Sequence, residues 1–399
     1  MFDYPNKLDI IFDKLDLYGI KPIIVGGYIR DKILHLNSKD IDIELYGLDS
    51  LDILENILQE FGDVNTVGRS FGVCKLLYDG LDLDFSLPRT DSKIDKGHKG
   101  FNVLTDKNLD YKSAASRRDF TINSMGYDVK EKKLLDPFGG QKDLDLGILR
   151  AVDLKKFAED PLRVLRGVGF CARFEFQMQT QLFNECKSLV DNGSLKELAK
   201  ERLFGELQKM LLKAKKPSIG FVLLEKLSLF HFSHTILDAL DKLASINPKK
   251  RLLLMLTLLS YDLREDKVHA FLSQLTDEKA IHKQISLYLS ALRNFSLQDV
   301  NNYRVYKLAT TVDISQLLLL YTALSKDEKE INHLLNKAKE LNVLSSAMPP
   351  LLVGKDLIAV GLSPSKEFST ILKEAYKAQM QEKFTTHQDA KKWLKNFIK

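Results

Sequence analysis

Apolar and polar positions alternate in short runs through the first third of the chain and fall at helical spacing through the rest. Lys21 to Val25 (KPIIV) is a short apolar run that stops at Gly26-Gly27, and Ile41 to Tyr46 (IDIELY) alternates apolar with acidic side chains. Val73 to Tyr78 and Leu81 to Leu87 also read as extended, and Tyr78-Asp79-Gly80 between them predicts a hairpin turn. Leu51 to Phe61 carries a helical period. Residues 1–145 therefore read as an α+β domain on a small mixed, partly antiparallel sheet with helices. After Pro137-Phe138-Gly139-Gly140 the pattern changes. From about Phe157 onward Leu, Lys and Glu recur at helical spacing, and turn signals thin out to stretches such as Asp191-Asn192-Gly193-Ser194, Lys215-Lys216-Pro217-Ser218 and Met348-Pro349-Pro350. This predicts an all-α remainder divided into 146–215, 216–345 and 346–399.

Composition narrows the picture without redrawing it. The length of 399 residues suits about two to four compact units. With 44% hydrophobic and 28% charged residues the chain reads as an ordinary soluble protein. A net charge of +5 permits nucleic-acid binding without demanding it. Cys74, Cys171 and Cys186 are far apart and form no CxxC, which reads as three reduced thiols in a cytoplasmic protein and not as a zinc site or disulfide framework. The start, Met1-Phe2-Asp3-Tyr4-Pro5, is unlike a signal peptide, and the longest apolar run, Leu252 to Leu259, is too short to span a bilayer. The eight histidines are scattered and read as structural.

The distinctive chemistry lies between Gly26 and Glu44. Asp40 and Asp42 sit two apart on a predicted strand, so both project from one face. Two adjacent carboxylates repel unless a cation lies between them, and Mg²⁺ favours one or two carboxylates plus substrate phosphates. Gly26 and Gly27 let backbone approach a phosphate, the helix that follows offers N–H groups, and Arg30 in its first turn can reach the same anion. Asp84, on another predicted strand, is the candidate third carboxylate of a two-metal phosphoryl-transfer site. Asp82 shares its alternation but lies nearer the turn, and reads as the more solvent-facing of the two or as a turn cap. Asp-x-Asp alone, or a double glycine alone, carries little; the combination with Arg30-Asp31 at this spacing is specific.

Five blocks in sequence resemble the class II nucleotidyltransferases, the family of tRNA CCA-adding enzymes and bacterial poly(A) polymerases. Val25 to Asp31 with Lys39 to Glu44 resembles the catalytic motif, and Arg117 to Asn123 is similar to the ribose-selecting motif. Asp136 to Leu144 resembles the hinge between head and neck, Glu159 to Arg166 the base-reading motif, and Glu201-Arg202-Leu203 with Glu206 the block that props it. Val353 to Ile358 with Gly361 is similar to the family's C-terminal block. Gly169 departs from the family, which usually has an arginine there, so one phosphate or helix-packing contact is expected to be lost. Ser260-Tyr261-Asp262 lacks the His-Asp pair of the phosphohydrolase domain that some relatives carry.

Each block also has a local reading. Arg118 and Asp119 stand before an expected apolar helix (Phe120, Ile122, Met125), where they can grip a triphosphate and a ribose hydroxyl; the alternative is a structural ion pair with an N-cap Asp. Asp160 and Arg163, three apart on an expected helix, share a face and can read the edge of C or A, the alternative being a surface salt bridge. Arg166 extends that side toward a phosphate. Arg89 follows the third carboxylate, and Asp91 to Lys112 reads as a mobile loop, similar to the loop that helps the family switch from C to A addition. The tail lysines Lys373, Lys377, Lys383, Lys391, Lys392, Lys395 and Lys399 read as a solvated face, with an RNA-backbone surface as the functional alternative.

The resemblance implies a nucleotidyltransferase head at 1–145, a helical neck with the base-reading motif at 146–215, a body at 216–345 and a tRNA-binding tail at 346–399. It implies addition of the 3′-terminal CCA to tRNA from CTP and ATP without a template, the tRNA 3′-OH attacking the α-phosphate and pyrophosphate leaving. Asp40, Asp42 and Asp84 would be catalytic and hold Mg²⁺; Gly26, Gly27, Arg30, Arg89, Arg118, Asp119, Asn123, Asp160, Arg163 and Arg166 would bind nucleotide. Expected partners are the tRNA 3′ end, CTP and ATP, with no membrane, in a monomer or homodimer. The alternatives are a poly(A) polymerase, or an enzyme that adds only A or only CC.

Overall fold

The computed structural model describes residues 3–48, 50–65, 72–93 and 101–398, with backbone alone at 91–93 and 101–104. The N-terminal region begins α1 (Asp9–Leu17), β1 (Lys21–Val25), α2 (Gly27–Ile33), β2 (Asp40–Tyr46), α3 (Leu51–Leu58), β3 (Val64–Asn65), β4 (Val73–Tyr78) and β5 (Leu81–Ser86). It continues β6 (Arg89–Lys93), β7 (Phe101–Thr105), α4 (Tyr111–Ala115), β8 (Gly126–Asp128), β9 (Lys133–Leu135) and α5 (Gly140–Asp145). Seven strands form one sheet in the order β3-β4-β5-β2-β1-β8-β9. β2 and β5 run parallel and the other neighbours antiparallel, which makes the expected mixed sheet. Asp79 and Gly80 take φ of 47° and 77°, the left-handed pair that a two-residue hairpin loop between β4 and β5 requires.

Alternation divides the sheet. Ile41, Ile43, Leu83 and Phe85 point to the buried face. Asp40, Asp42 and Glu44 point the other way, as do Ile23 and Val25, which pair with Glu44 and Asp42. At β1 this second face is covered, since Ile23, Val25 and Tyr46 pack with Ala114 of α4 and with Tyr111 and Leu135. At Asp40, Asp42 and Asp82 it is open to solvent. One strand thus runs from a covered apolar patch to an exposed acidic one.

The next elements are β10 (Ile148–Leu149), α6 (Leu154–Ala158), α7 (Leu162–Phe174), β11 (Gln177–Met178), α8 (Thr180–Asp191) and α9 (Lys200–Lys213). α7 packs along α9. After α10 (Pro217–Lys226) come ten helices, α11 (His234–Ile246) through α20 (His387–Phe397), among the described residues. The chain divides into two compact units, Met1–Ala214 with Val222–His231, and Lys215–Phe221 with Phe232–Lys399. Within the second, Leu352, Leu357, Ala375, Ala378, Phe384, Ala390 and Leu394 form a core of their own. No helix among the described residues is long and apolar enough to cross a membrane. All three cysteines are buried thiols, and burial pushes Cys171 and Cys186 up to about 12.

Three local expectations are corrected. Arg118 and Asp119 precede no α-helix: Phe120 forms an extended bridge to Ala151, and Thr121–Asn123 is a single 3₁₀ turn. The stretch expected as a loop after Arg89 contains an antiparallel hairpin of β6 and β7, followed by α4; residues 94–100, with Lys96, His98 and Lys99, lie outside the described residues. Asp160 lies just ahead of α7, whose N-cap is Pro161, so it shares no helix face with Arg163.

Candidate active site

Strand register builds the acidic half of the site. Asp42 pairs with Asp84 and Asp40 with Asp82 across the parallel β2–β5 ladder, so all four carboxylates share one face. On the far side of β5, Lys75 pairs with Asp84, and its ammonium forms an ion pair with the Asp84 carboxylate. Asp40, Asp82 and Asp84 line a shallow cleft together with Asp63, Asn65 and Lys75. Asp42 reaches solvent, yet the protein around it still pushes its pKa up; Arg118 opposes the rise, and Asp84 and Glu44 add to it. The donor set suits a hard divalent cation. Asp40 and Asp42 make no ion pair among the described residues, whereas Asp84 is held by Lys75. No three His, Cys, Asp or Glu side chains among the described residues converge as a metal cluster.

Asp42 also lines a second cleft, of about 490 Å³, with Gly27, Arg30, Arg117, Arg118, Asp119, Asn123, Asp160, Leu162, Arg163, Arg166, Phe170 and Arg202. Most of the expected nucleotide-binding residues therefore converge on one space, although they come from three separated blocks of sequence. Arg117 and Arg118 each donate to Oε1 of Glu44, at 2.8 and 2.9 Å, while Tyr46 donates to Oε2. Glu44 is fully buried. Burial alone would raise its pKa, but Arg118 and Arg117 outweigh it and hold the carboxyl below the usual range. Gly26 makes room for this arrangement. Its φ of 73° disfavours any side chain, and a Cβ there would lie 2.8 Å from Nη1 of Arg118.

Several expected ligand-facing groups are engaged with protein. Asp119 accepts from the Phe120 amide and Asn123 on Oδ1 and from Arg166 on Oδ2, at 2.8 and 2.6 Å. Burial pushes its carboxyl up, and Arg166 with Asn123 brings it below the usual value. Arg30 donates to Asp31 and to Asn123, and its guanidinium lies 5.1 Å and 4.9 Å from the rings of Phe170 and Phe174. Arg163 donates to the carbonyls of Lys156 and Arg117. Asp160 accepts from the Leu162 amide and faces Arg202 at 3.5 Å, so its ion pair is with α9 and not the alternative salt bridge with Arg163. Arg89, at the start of β6, and Gly26 are not among the residues lining either cleft. At Gly169 a Cβ would meet only Met210, at 3.9 Å, so the position faces α9.

Sequence reasoning missed Glu44, Lys75, Arg117, Phe170 and Arg202 as members of the site. The alternation that singled out Asp40 and Asp42 also points to Glu44. Arg117 adjoins Arg118, and Arg202 lies in the block resembling the prop. Lys75 has no sequence signal, because its place depends on strand register.

Residues 23–150 match the family described as Poly A polymerase head domain, and residues 175–240 match the probable RNA- and SrmB-binding site of polymerase A. The chain is 39% identical over 189 residues to the multifunctional CCA protein of Neisseria gonorrhoeae, covering 47% of this chain and 44% of that protein. It is 36% identical over 203 residues to the multifunctional CCA protein of Chromobacterium violaceum, covering 51% and 47%. The matched stretch thus spans less than half the length of these relatives. Two solved structures share the fold over nearly all of both chains. The Bacillus stearothermophilus CCA-adding enzyme in complex with CTP aligns with a TM-score of 0.77 at 19% identity, covering 99% of this chain and 98% of that one. The Thermotoga maritima CCA-adding enzyme complexed with tRNA-CCA aligns at 0.68 and 20%, covering 100% and 97%.

Proposed function

From a chain that belongs to the family of CCA-adding enzymes and poly(A) polymerases, we propose a tRNA nucleotidyltransferase that completes the 3′-terminal CCA from CTP and ATP without a nucleic-acid template. The observation that carries this reading is the 490 Å³ cleft, where four sequence blocks meet around Asp42. In this reading Arg118, fixed by Glu44, faces the triphosphate, with Gly27 leaving room for its approach. Asp119 and its partner Arg166 lie where the ribose hydroxyls would, and ribose binding shares or exchanges that ion pair. Asp160 and Arg163 read the base. Arg163 exchanges its two carbonyl partners for the acceptors of C or A, and Asp160 accepts from the exocyclic amine. Asp40 and Asp42 would hold Mg²⁺, joined by Asp84 once it parts from Lys75. Held by these carboxylates, Mg²⁺ would supply the charge that acidifies the tRNA 3′-OH and offsets that of the triphosphate. The reaction joins that oxygen to the α-phosphorus and breaks the bond to the β-phosphate, releasing pyrophosphate.

The test is incorporation into a tRNA transcript that ends before CCA, with labelled CTP and ATP singly and together. The expected product gains both nucleotides and stops at CCA, and Asp42→Ala abolishes it. Long A tails from ATP alone would replace this reading with a poly(A) polymerase, and use of one nucleotide only with an A-adding or CC-adding enzyme.

A further inference from the structure

We propose that Lys75 is a tethered counter-ion of the acidic face, holding Asp84 back from a divalent cation until the cation displaces it, and so setting how tightly the site binds metal. The proposal rests on the reading of Asp40 and Asp42 as the metal-holding pair. Three adjacent strands place Lys75, Asp84 and Asp42 in line on one face, through the register pairs Lys75↔Asp84 and Asp42↔Asp84. The Lys75 ammonium pairs with Asp84, and both side chains also line the cleft that holds Asp40 and Asp82. Four carboxylates on one open face repel one another, and a single cation on a four-carbon stem relieves part of that repulsion without closing the cleft. Its own side chain is half exposed, so it can swing out to solvent when a doubly charged ion takes its place. A divalent ion entering beside Asp42, where Arg118 also lies, must therefore win Asp84 from the Lys75 ammonium.

The experiment is a titration of the full-length protein with Mn²⁺, without nucleotide or RNA, reading unbound Mn²⁺ by electron paramagnetic resonance. Lys75→Met and Lys75→Gln remove the charge, and each should tighten the Mn²⁺ dissociation constant about five- to tenfold, as expected from one unit charge a few ångströms away in a largely hydrated site. Lys75→Arg should stay within about twofold of the natural protein, and the gap should narrow in high salt. Unchanged or weaker Mn²⁺ binding in both neutral variants overturns the proposal. The double variant Asp40→Asn, Asp42→Asn separates it from the reading beneath: if that variant keeps natural Mn²⁺ affinity, the metal-holding pair itself has been misplaced.

Discussion

Between Arg117, Arg118 and Tyr46, the Glu44 carboxylate ties two cations to the wall of the 490 Å³ cleft. Removing one partner from a buried charge cluster leaves the others uncompensated and costs about 3–5 kcal/mol. Glu44→Ala should therefore lower stability to urea by about that amount. The titration has a definite sign. Glu44 is held below its ordinary value in the folded chain, so folding favours its ionised form. Its contribution is complete above the unfolded pKa of about 4.3 and is lost as pH falls through the lower folded value. The stability advantage of the natural protein over Glu44→Gln should thus shrink as pH falls from about 5 to 3; an advantage that stayed constant would show that ionisation of Glu44 is not what binds the arginines. At this scale the sequence was half legible. Period-two spacing reveals the acids at 40, 42 and 44, because a strand enforces it locally. It cannot reveal that Arg163 would bond carbonyls or that Asp160 would face Arg202, since those partners come from distant parts of the chain.

Elements were legible where an apolar run is bounded by a turn signal, or where one face is wet and the other dry. β1, β4 and β5 fall within a residue of their expected bounds because apolar runs and the Asp79-Gly80 turn specify them. The stretch after Arg118 misled because Phe120, Ile122 and Met125 are indeed buried, yet Phe120 is drawn into an extended bridge with Ala151, and that pairing overrides the helical spacing. The hairpin of β6 and β7 was hidden because Arg-Thr-Asp-Ser-Lys is polar on both faces and shows no alternation. The junction of β1 and α2 yields a direct prediction. Gly26→Ala forces a side chain into a left-handed φ and against Arg118, which should cost about 1–3 kcal/mol and raise the KM for ATP roughly tenfold. Gly27→Ala, whose Cβ would meet the end of Arg30 at 3.4 Å, should be milder on both measures. Equal effects at the two positions would mean that the approach of Arg118 is not the constraint.

At the scale of the whole molecule the charge balance is slight, +5 over 399 residues, so any grip on RNA depends on local cations. The cleft arginines are largely committed to buried partners, whereas Lys373, Lys377, Lys383, Lys392 and Lys395 of the tail are exposed. Affinity for a tRNA transcript should fall steeply between low and moderate salt, while the KM for ATP moves little; parallel loss of both would show that nucleotide and RNA are held by the same exposed charges. The seat of Arg30 against Phe170 and Phe174, which stack on each other 5.9 Å apart, has a mechanical consequence. It rivets α2 to α7, and Arg173 adds a second fastening at Asp31, 3.3 Å away. Swinging the two helices apart would lift a buried cation off both rings. Under the proposed function, a changeover from one base to the next would then be cheaper by turning side chains within a fixed slot than by opening the slot.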